Sequence, residues 1–176
     1  MSFRKLEYYG SEILREQSRE LDCSTEQDFI ETLINDMERI LYSENGLGLA
    51  APQSGENVRL FILNPEELDL SGHSVFINPR IQTSGDLIKD EEGCLSIPGI
   101  FELVKRPSHS SITALDQTGR SFSLELDDYN ARAAQHEFDH LEGILFVDRL
   151  TPIRKRLIRK RLSEIKEEYR SGKRIL

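Results

Sequence analysis

The sequence is poor in cysteine and has no long apolar run, and both shortages restrict the classes of protein it could represent. Two cysteines among 176 residues cannot build a disulfide framework, which suits a chain that folds in a reducing compartment. No apolar stretch is long enough to span a membrane, and residues 1–5 lead into polar sequence and not into a signal peptide. We therefore expect a cytoplasmic protein without a membrane-spanning segment.

The chain also lacks internal repeats, low-complexity tracts and linker-like segments, so nothing in it marks a second domain. Its 176 residues, 38% of them hydrophobic, suffice for one domain with its own core. We expect a single domain over residues 1–176, of which residues 151–176 form a basic C-terminal helix.

Apolar residues recur on one helical face over residues 26–41, and this period predicts an N-terminal helix. The strand-like runs that follow are residues 58–63, 75–81, 100–104, 111–115 and 122–126. Turn signals lie within or between these runs, at Asn64-Pro65, Asn78-Pro79, Arg106-Pro107 and Thr118-Gly119. Connections this short favour antiparallel pairing, because parallel neighbours need a long crossover. We expect an α+β fold, with antiparallel sheets packed around a central helix at about residues 128–142.

The run Gln135-His136-Glu137-Phe138-Asp139-His140 can supply half of a catalytic metal site. Residues four apart lie on one face of a helix, so His136 and His140 can bind the same ion. Glu137 can then reach a metal-bound water without being a ligand, which is the H-E-x-x-H arrangement of metal-dependent hydrolases. The alternative is an amphipathic helix whose histidines are polar surface.

A hydrolytic metal usually has three protein ligands and an open position for water. Cys94 is the favoured third ligand, because Gly93 and the turn-forming Pro98-Gly99 indicate a strand end where a thiolate can approach a helix. Glu164 is the other candidate, 24 residues after His140, but it lies in a strongly cationic segment. Cys94 could instead be an inert core thiol. Cys23 lacks any motif context and is expected to have no role in the site.

A third segment, residues 46–53, reads GLGLAAPQ. Its small residues would let another backbone come close, and Gln53 ends it with an amide that can donate a hydrogen bond. A phosphate-binding loop is disfavoured, since no Lys-Ser/Thr pair follows the glycines. Taken alone, the segment is typical of tight packing.

In this order, GLGLAAPQ, EGCLS and QHEFDH resemble the three signature segments of the peptide deformylases. These enzymes remove the N-formyl group from the initiator methionine of new bacterial and organellar polypeptides, which would be the substrate here. The resemblance, which extends over about residues 14–150, implies the following roles. The metal ligands would be Cys94, His136 and His140, and Glu137 would be the general base and acid. Gln53 and the backbone N–H of Leu95 would donate hydrogen bonds to the oxyanion. Gly46 and Gly48 would line the peptide-binding cleft.

The resemblance also implies the cofactor, one divalent metal ion with Fe(II) as the native metal and zinc or nickel as substitutes. A Cys-His-His ligand set by itself would indicate zinc. The chain departs from the commonest family pattern in two places. Ser54 follows Gln53 where an aliphatic residue is usual, and residues 99–102 lack an arginine that many members have after Ile97-Pro98. Both departures bear on substrate binding.

From the residues alone, two other classes of protein remain as alternatives. A peptidase would use Glu164 as its third ligand and would act on a different bond. A non-catalytic metal-binding module would have a closed site, which needs a fourth protein ligand. It would have no use for Glu137, and no further Cys or His lies beside the three motifs.

Charge is distributed unevenly along the chain. Residues 151–176 contain ten Lys/Arg against three Glu, a net charge of +7, so the remainder carries about −15 of the total of −8. The basic triplets are interleaved with Leu157, Ile158, Leu162 and Ile165, which predicts a helix docked by its aliphatic side. Its basic face is expected either to be simply solvated or to bind ribosomal RNA phosphates as a ribosome contact.

Overall fold

A computed structural model of the chain describes residues 4–172. Within that range it contains three α-helices and five β-strands: α1 (Gln27–Ser43), β1 (Gly48–Ala50), β2 (Leu60–Leu63), β3 (Val75–Cys94), β4 (Ile97–Leu115), β5 (Ser121–Asp127), α2 (Asp128–Leu141) and α3 (Pro152–Arg170). No helix in this part of the chain is long and apolar enough to cross a membrane. Residues 1–3 and 173–176, which the expected domain and basic tail include, lie outside the described residues.

The five strands form one antiparallel sheet in chain order, β1-β2-β3-β4-β5. The predicted α+β class is confirmed, although the strands form a single sheet and not several. β3 and β4 pair with each other from Ile77 and Leu115 to Cys94 and Ile97. The prediction of separate strands over residues 100–104 and 111–115 is therefore wrong, since both belong to β4.

Two of the predicted turns are irregularities inside the long strands. Asn78 has a left-handed φ of 49°, and the pairing of β3 with β4 shifts register between Ile77 and Arg80. Pro107 lies opposite Leu87, where the register shifts again. A proline cannot donate to the ladder, so strands accept it at bulges and edges. The turn signals at Asn78-Pro79 and Arg106-Pro107 thus mark bulges and do not end the strands.

Helix α1 forms where its apolar period predicts a helix, and it ends at Ser43, two residues beyond the predicted end. It buries one face in a core cluster with β2 and the start of β3, using Ile30, Leu33, Ile34, Met37, Ile40 and Leu41. The chain then turns at Asn45, which has a left-handed φ of 52°, and Gly46 leads into β1. This path brings the glycine-rich segment directly from the end of α1 to the edge of the sheet.

Helix α2 lies against the sheet and is buried along most of its length. Ala131, Ala133 and Ala134 are 0–8% exposed and pack in a core cluster with Phe61, Phe76 and residues of β4 and β5. Small side chains let the helix axis approach the strands closely. The same approach holds the following turns of α2, which carry the two histidines, beneath the β3–β4 hairpin.

Helix α3 docks through part of the aliphatic side that the sequence predicted. Ile158, Leu162 and Ile165 pack in a third cluster that includes Ile100 and Val104 of β4. Leu157 does not join them and is 66% exposed. The 158-162-165 spacing defines the inner face of the helix, and residue 157 falls outside it.

His109 on β4 lies between two carboxylates of β5. Its Nδ1 is 2.8 Å from Asp127 Oδ1 and its Nε2 is 2.8 Å from Glu125 Oε2. These hydrogen bonds, with Asp127 the larger influence, raise the pKa of His109. The protonated ring can donate to both partners at once, so it fastens the end of β5 to β4.

We predict that His109 stabilises the fold only while it is protonated. Because its pKa is higher in the folded than in the unfolded chain, the stabilisation is complete below the unfolded value of about 6.5 and is lost as pH rises through the folded value. The melting temperatures of the parent and His109→Gln should differ most at about pH 6 and converge by about pH 9. An equal difference at both pH values would contradict this role.

Candidate metal centre

Cys94 is the last residue of β3, as its glycine-flanked position predicts. The turn that follows is formed by Leu95-Ser96, whereas Pro98 and Gly99 already lie in β4. Cys94 pairs with Ile97 across this turn. The thiol therefore lies at the tip of a two-stranded hairpin, on the face that looks toward α2.

His136 and His140 lie one helical turn apart on α2, and their ring centroids are 5.2 Å apart. His140 Nε2 is 3.3 Å from Cys94 Sγ. One ligand atom from each of Cys94, His136 and His140 can be chosen so that all lie within 4.8 Å of one another. The structure thus brings together the three residues predicted from separate segments, in a set that suits a catalytic metal with one open position.

The electrostatics of these three residues also fit a bound cation. Hydrogen bonds to Cys94 and Glu92 raise the pKa of His136 well above its ordinary value, although burial opposes them. Burial and the neighbouring His136 lower the pKa of His140, which leaves its ring neutral. The site thus combines a thiol, an imidazole whose surroundings favour positive charge, and a second imidazole that is neutral. These are the donor groups that a divalent metal needs.

Glu92 is a buried residue of the site that the motif reading left without a role. It is 6% exposed, and one carboxylate oxygen lies 3.2 Å from His136 Nδ1. Arg106 donates to both carboxylate oxygens, at 2.6 and 2.9 Å. Hydrogen bonds from His136 and Arg106 hold the pKa of Glu92 well below its ordinary range, although burial alone would raise it. Glu92 therefore stays ionised and orients the His136 ring.

The polar network continues from Glu92 through Arg106 to Asp139 of α2. Arg106, only 2% exposed, donates to Asp139 at 2.8 Å, and Arg149 also binds Asp139 through two nitrogens. In the sequence, this network is indicated only by the positions of Glu92 and Asp139 relative to the candidate ligands. Glu92 lies two residues before Cys94 and Asp139 three after His136, so each shares a face with a candidate ligand.

Glu137 is buried and lies against the backbone of Gly48. Burial raises the pKa of its carboxyl to about 7. Within the described residues, Oε2 has no hydrogen-bond partner. A Cβ added to Gly48 would lie 2.7 Å from Glu137 Cγ and Oε1, so any larger residue there would displace the carboxylate. A carboxyl that titrates near neutral pH can both accept and return a proton.

Gln53 is held in one orientation beside Cys94. Its Oε1 accepts a hydrogen bond from the N–H of Ala50 at 2.8 Å. The amide Nε2 consequently points the other way, 3.2 Å from Ser96 Oγ and 3.5 Å from Cys94 Sγ. The departure at Ser54 is accommodated, since this buried side chain donates to the carbonyl of Ala51 at 2.8 Å.

A cleft of about 680 Å³ opens over these groups, and Gly46, Gly48, Gln53, Cys94, Leu95 and Glu137 are among the residues that line it. Phe101, within the stretch 99–102 that lacks the expected arginine, also lines the cleft. Its ring lies against Gly93, so that a Cβ on that glycine would be 2.5 Å from the ring. In this stretch the cleft is therefore bordered by an aromatic side chain and not by a cation.

The rival third ligand, Glu164, is not part of this group. It lies on α3, where its carboxylate is 3.6 Å from Arg161 and 3.9 Å from Lys160. Cys23 packs beside the α1 core, away from the other candidates. These positions favour the Cys94 ligand set and remove the structural basis for the peptidase alternative.

Comparison with known proteins gives a consistent assignment. The model of the polypeptide deformylase family matches residues 3–156. The chain is 45% identical over 148 residues to peptide deformylase 1 of Clostridium perfringens, an alignment that covers 84% of this chain and 98% of that protein. It is 40% identical over 167 residues to the chloroplastic/mitochondrial peptide deformylase 1B of Arabidopsis thaliana, covering 94% of this chain and 60% of that protein.

Solved structures share the fold as well as the sequence. The Arabidopsis thaliana peptide deformylase 1B, crystallised with an inhibitor, superposes with a TM-score of 0.85 at 38% identity, covering 96% of this chain and 93% of that chain. A peptide deformylase from Legionella pneumophila superposes with a TM-score of 0.84 at 36% identity, covering 94% of this chain and 96% of that chain. The predicted resemblance is thereby confirmed. The chain belongs to the peptide deformylase family, the metal-dependent hydrolases that remove the N-formyl group from the initiator methionine of new polypeptides.

Proposed function

We propose that deformylation by this chain depends on a single divalent metal held by Cys94, His136 and His140. The observation that carries the proposal is the convergence of a thiol and two imidazoles, within 4.8 Å of one another, on the buried carboxyl of Glu137. Fe(II) is the proposed native metal, with Zn(II) or Ni(II) as substitutes. When bound, such a metal polarises a carbonyl and lowers the pKa of water to ~7 from roughly 16.

Glu137 is the proposed general base and acid. It accepts a proton from the attacking water and returns one to the amine that leaves as formate is released. The buried carboxyl suits both steps, because its pKa of about 7 makes neither transfer steeply uphill at neutral pH. Contact with Gly48 keeps the carboxylate from turning away from the cleft.

Gln53 and the backbone N–H of Leu95 are the proposed donors to the oxyanion that forms as the formyl carbon is attacked. The bond from Ala50 fixes the Gln53 amide before substrate arrives, so its donors need no reorganisation during the reaction. One such donor typically contributes on the order of 3 kcal/mol to transition-state stabilisation. Gly46 and Gly48 border the cleft without side chains, and we propose that the formyl-methionyl peptide backbone lies against them.

We further propose that residues 1–176 act as one domain in the cytoplasm. The two thiols are free, and a reducing compartment would keep the Cys94 thiolate available as a ligand. New polypeptides that still carry the formyl group are made in that compartment.

Glu137→Gln should retain the metal yet lose most of its activity, because the amide keeps the shape and removes the proton acceptor. The measurement is formate release from formyl-Met-Ala-Ser by anaerobically purified protein, with metal analysis of the same sample. Gln53→Ala is the comparison variant, and its kcat should fall by roughly 10²–10³-fold. Near-normal kcat in Glu137→Gln would show that another group moves the proton.

We also propose that the outer face of α3 contacts ribosomal RNA. Lys155, Arg156 and Arg159 are exposed on this helix, whereas Arg154, although also exposed, is paired with the buried Glu102 at 2.7 Å. Arg161 lies within 3.6 Å of acidic residues on its own helix. The basic residues available to phosphate are thus fewer than the sequence suggests, and the acidic remainder of the chain would orient any docking.

Reversing Lys155, Arg156 and Arg159 to glutamate should abolish co-sedimentation with ribosomes and leave hydrolysis of a short formyl peptide within about twofold of the parent. Binding by the parent should weaken steeply as salt rises, as phosphate contacts do. The matched control reverses Arg80, Lys89 and Lys105, exposed cations on the sheet. If both triple variants lose binding alike, net charge and not the α3 surface is responsible; if the α3 variant still binds, the helix is only a structural cap.

A further inference from the structure

We propose that Arg132 is a positioning residue for the metal centre: it fixes the hairpin that carries Cys94 onto the helix that carries His136 and His140. The inference rests on the proposed metal site and goes beyond the residues that would touch the metal or the substrate. It concerns how ligands from two separate elements are kept at binding distance.

The hairpin tip has little support from the rest of the sheet. β2 pairs with β3 only over residues 75–77, and β5 pairs with β4 only over residues 109–115. Beyond these points β3 and β4 continue as a two-stranded ribbon up to Cys94 and Ile97. A two-stranded ribbon is only marginally stable by itself, so its distance from α2 depends on contacts made by side chains.

Arg132 provides such contacts to both strands at once. One nitrogen, Nη1, donates to Glu92 Oε1 at 2.5 Å and to the carbonyl of Val104 at 3.1 Å. The other, Nη2, donates to the carbonyl of Ile88 at 2.8 Å. The Arg132 side chain is only 7% exposed. A planar guanidinium presents several donors in a fixed arrangement, so one helix residue holds β3 and β4 together from below.

Arg132 differs from Arg106 in what its removal would leave behind. Arg106 is 2% exposed and serves both Glu92 and Asp139, so its loss would disturb two buried carboxylates. Without Arg132, Glu92 still accepts two hydrogen bonds from Arg106. Its charge stays compensated, and what is lost are the bonds from Arg132 itself to Glu92 and to the carbonyls of Ile88 and Val104, while the contacts of Arg106 with Asp139 and of Glu92 with His136 remain. Substitution of Arg132 therefore tests its positioning role without leaving a buried carboxylate unpaired.

A loosened ribbon would let the Cys94 thiolate drift from the two imidazoles. Changes to outer contacts of metal sites commonly weaken metal affinity by about 10–100-fold. We expect cobalt(II)-loaded Arg132→Met to show a loss of this size as correspondingly faster release of its metal to a chelator. The thiolate-to-cobalt charge-transfer absorption should weaken in parallel. Arg132→Lys should be intermediate, because an ammonium can reach only part of the three-acceptor set.

The matched control is Arg149→Met. It removes a guanidinium from the same network, at Asp139, without touching the ribbon, and Asp139 keeps its bond to Arg106. Its release rate and cobalt spectrum should stay near those of the parent. Thermal melting of each metal-free variant, followed by circular dichroism, reports any general loss of stability.

Equal release rates for the parent and Arg132→Met would overturn the proposal, as would an equal acceleration in Arg149→Met. If Arg132→Met does not fold, the folded Arg132→Lys decides: faster release with a weakened charge-transfer band supports the proposal, and parent-like values contradict it. Failure of the parent itself to bind cobalt through a thiolate would instead contradict the proposed metal site.

Discussion

The buried carboxylate of Glu92 is the interaction on which the rest of the site depends. It accepts hydrogen bonds from a strand arginine, Arg106, and a helix arginine, Arg132, and it lies within hydrogen-bond distance of His136. A charge so deeply buried would be unfavourable alone, and these partners compensate it. Because they come from β4 and α2 while Glu92 belongs to β3, one carboxylate joins the hairpin that carries the thiol to the helix that carries the histidines.

Small residues supply the second constraint. The alanines of α2 let the helix lie close under the sheet, and Gly48 allows the Glu137 carboxylate to rest against the backbone of β1. Close packing shields most of this carboxyl from bulk solvent, and the resulting burial raises its pKa to about 7. Helix packing, a glycine contact and the raised pKa of this carboxyl are thus consequences of the same local shape.

Much of the fold can be predicted from local sequence patterns. The features that could not be predicted share one cause, which is that they depend on residues far apart in the sequence. α1 could be predicted because its apolar period is strong, and α2 because its alanines favour a helix. The candidate metal ligands could be named because spacing and motif order are local features. The predicted strand 75–81 ends well before the observed β3 because residues 82–91 are exposed and mostly polar, and only pairing with β4 reveals them as a strand. Glu92, Arg106 and Arg132 were missed because their partners are 14 to 44 residues away. A sequence window cannot show which distant charges meet.

In the proposed metal centre the third ligand is the hairpin thiol and not a carboxylate of α3. Metal content and formate release, measured together on anaerobically purified parent, Cys94→Ala and Glu164→Gln, test this assignment most directly. We predict one metal ion per chain in the parent and in Glu164→Gln, both active, and loss of metal and turnover in Cys94→Ala. Metal retention by an active Cys94→Ala, with loss of metal in Glu164→Gln, would contradict it.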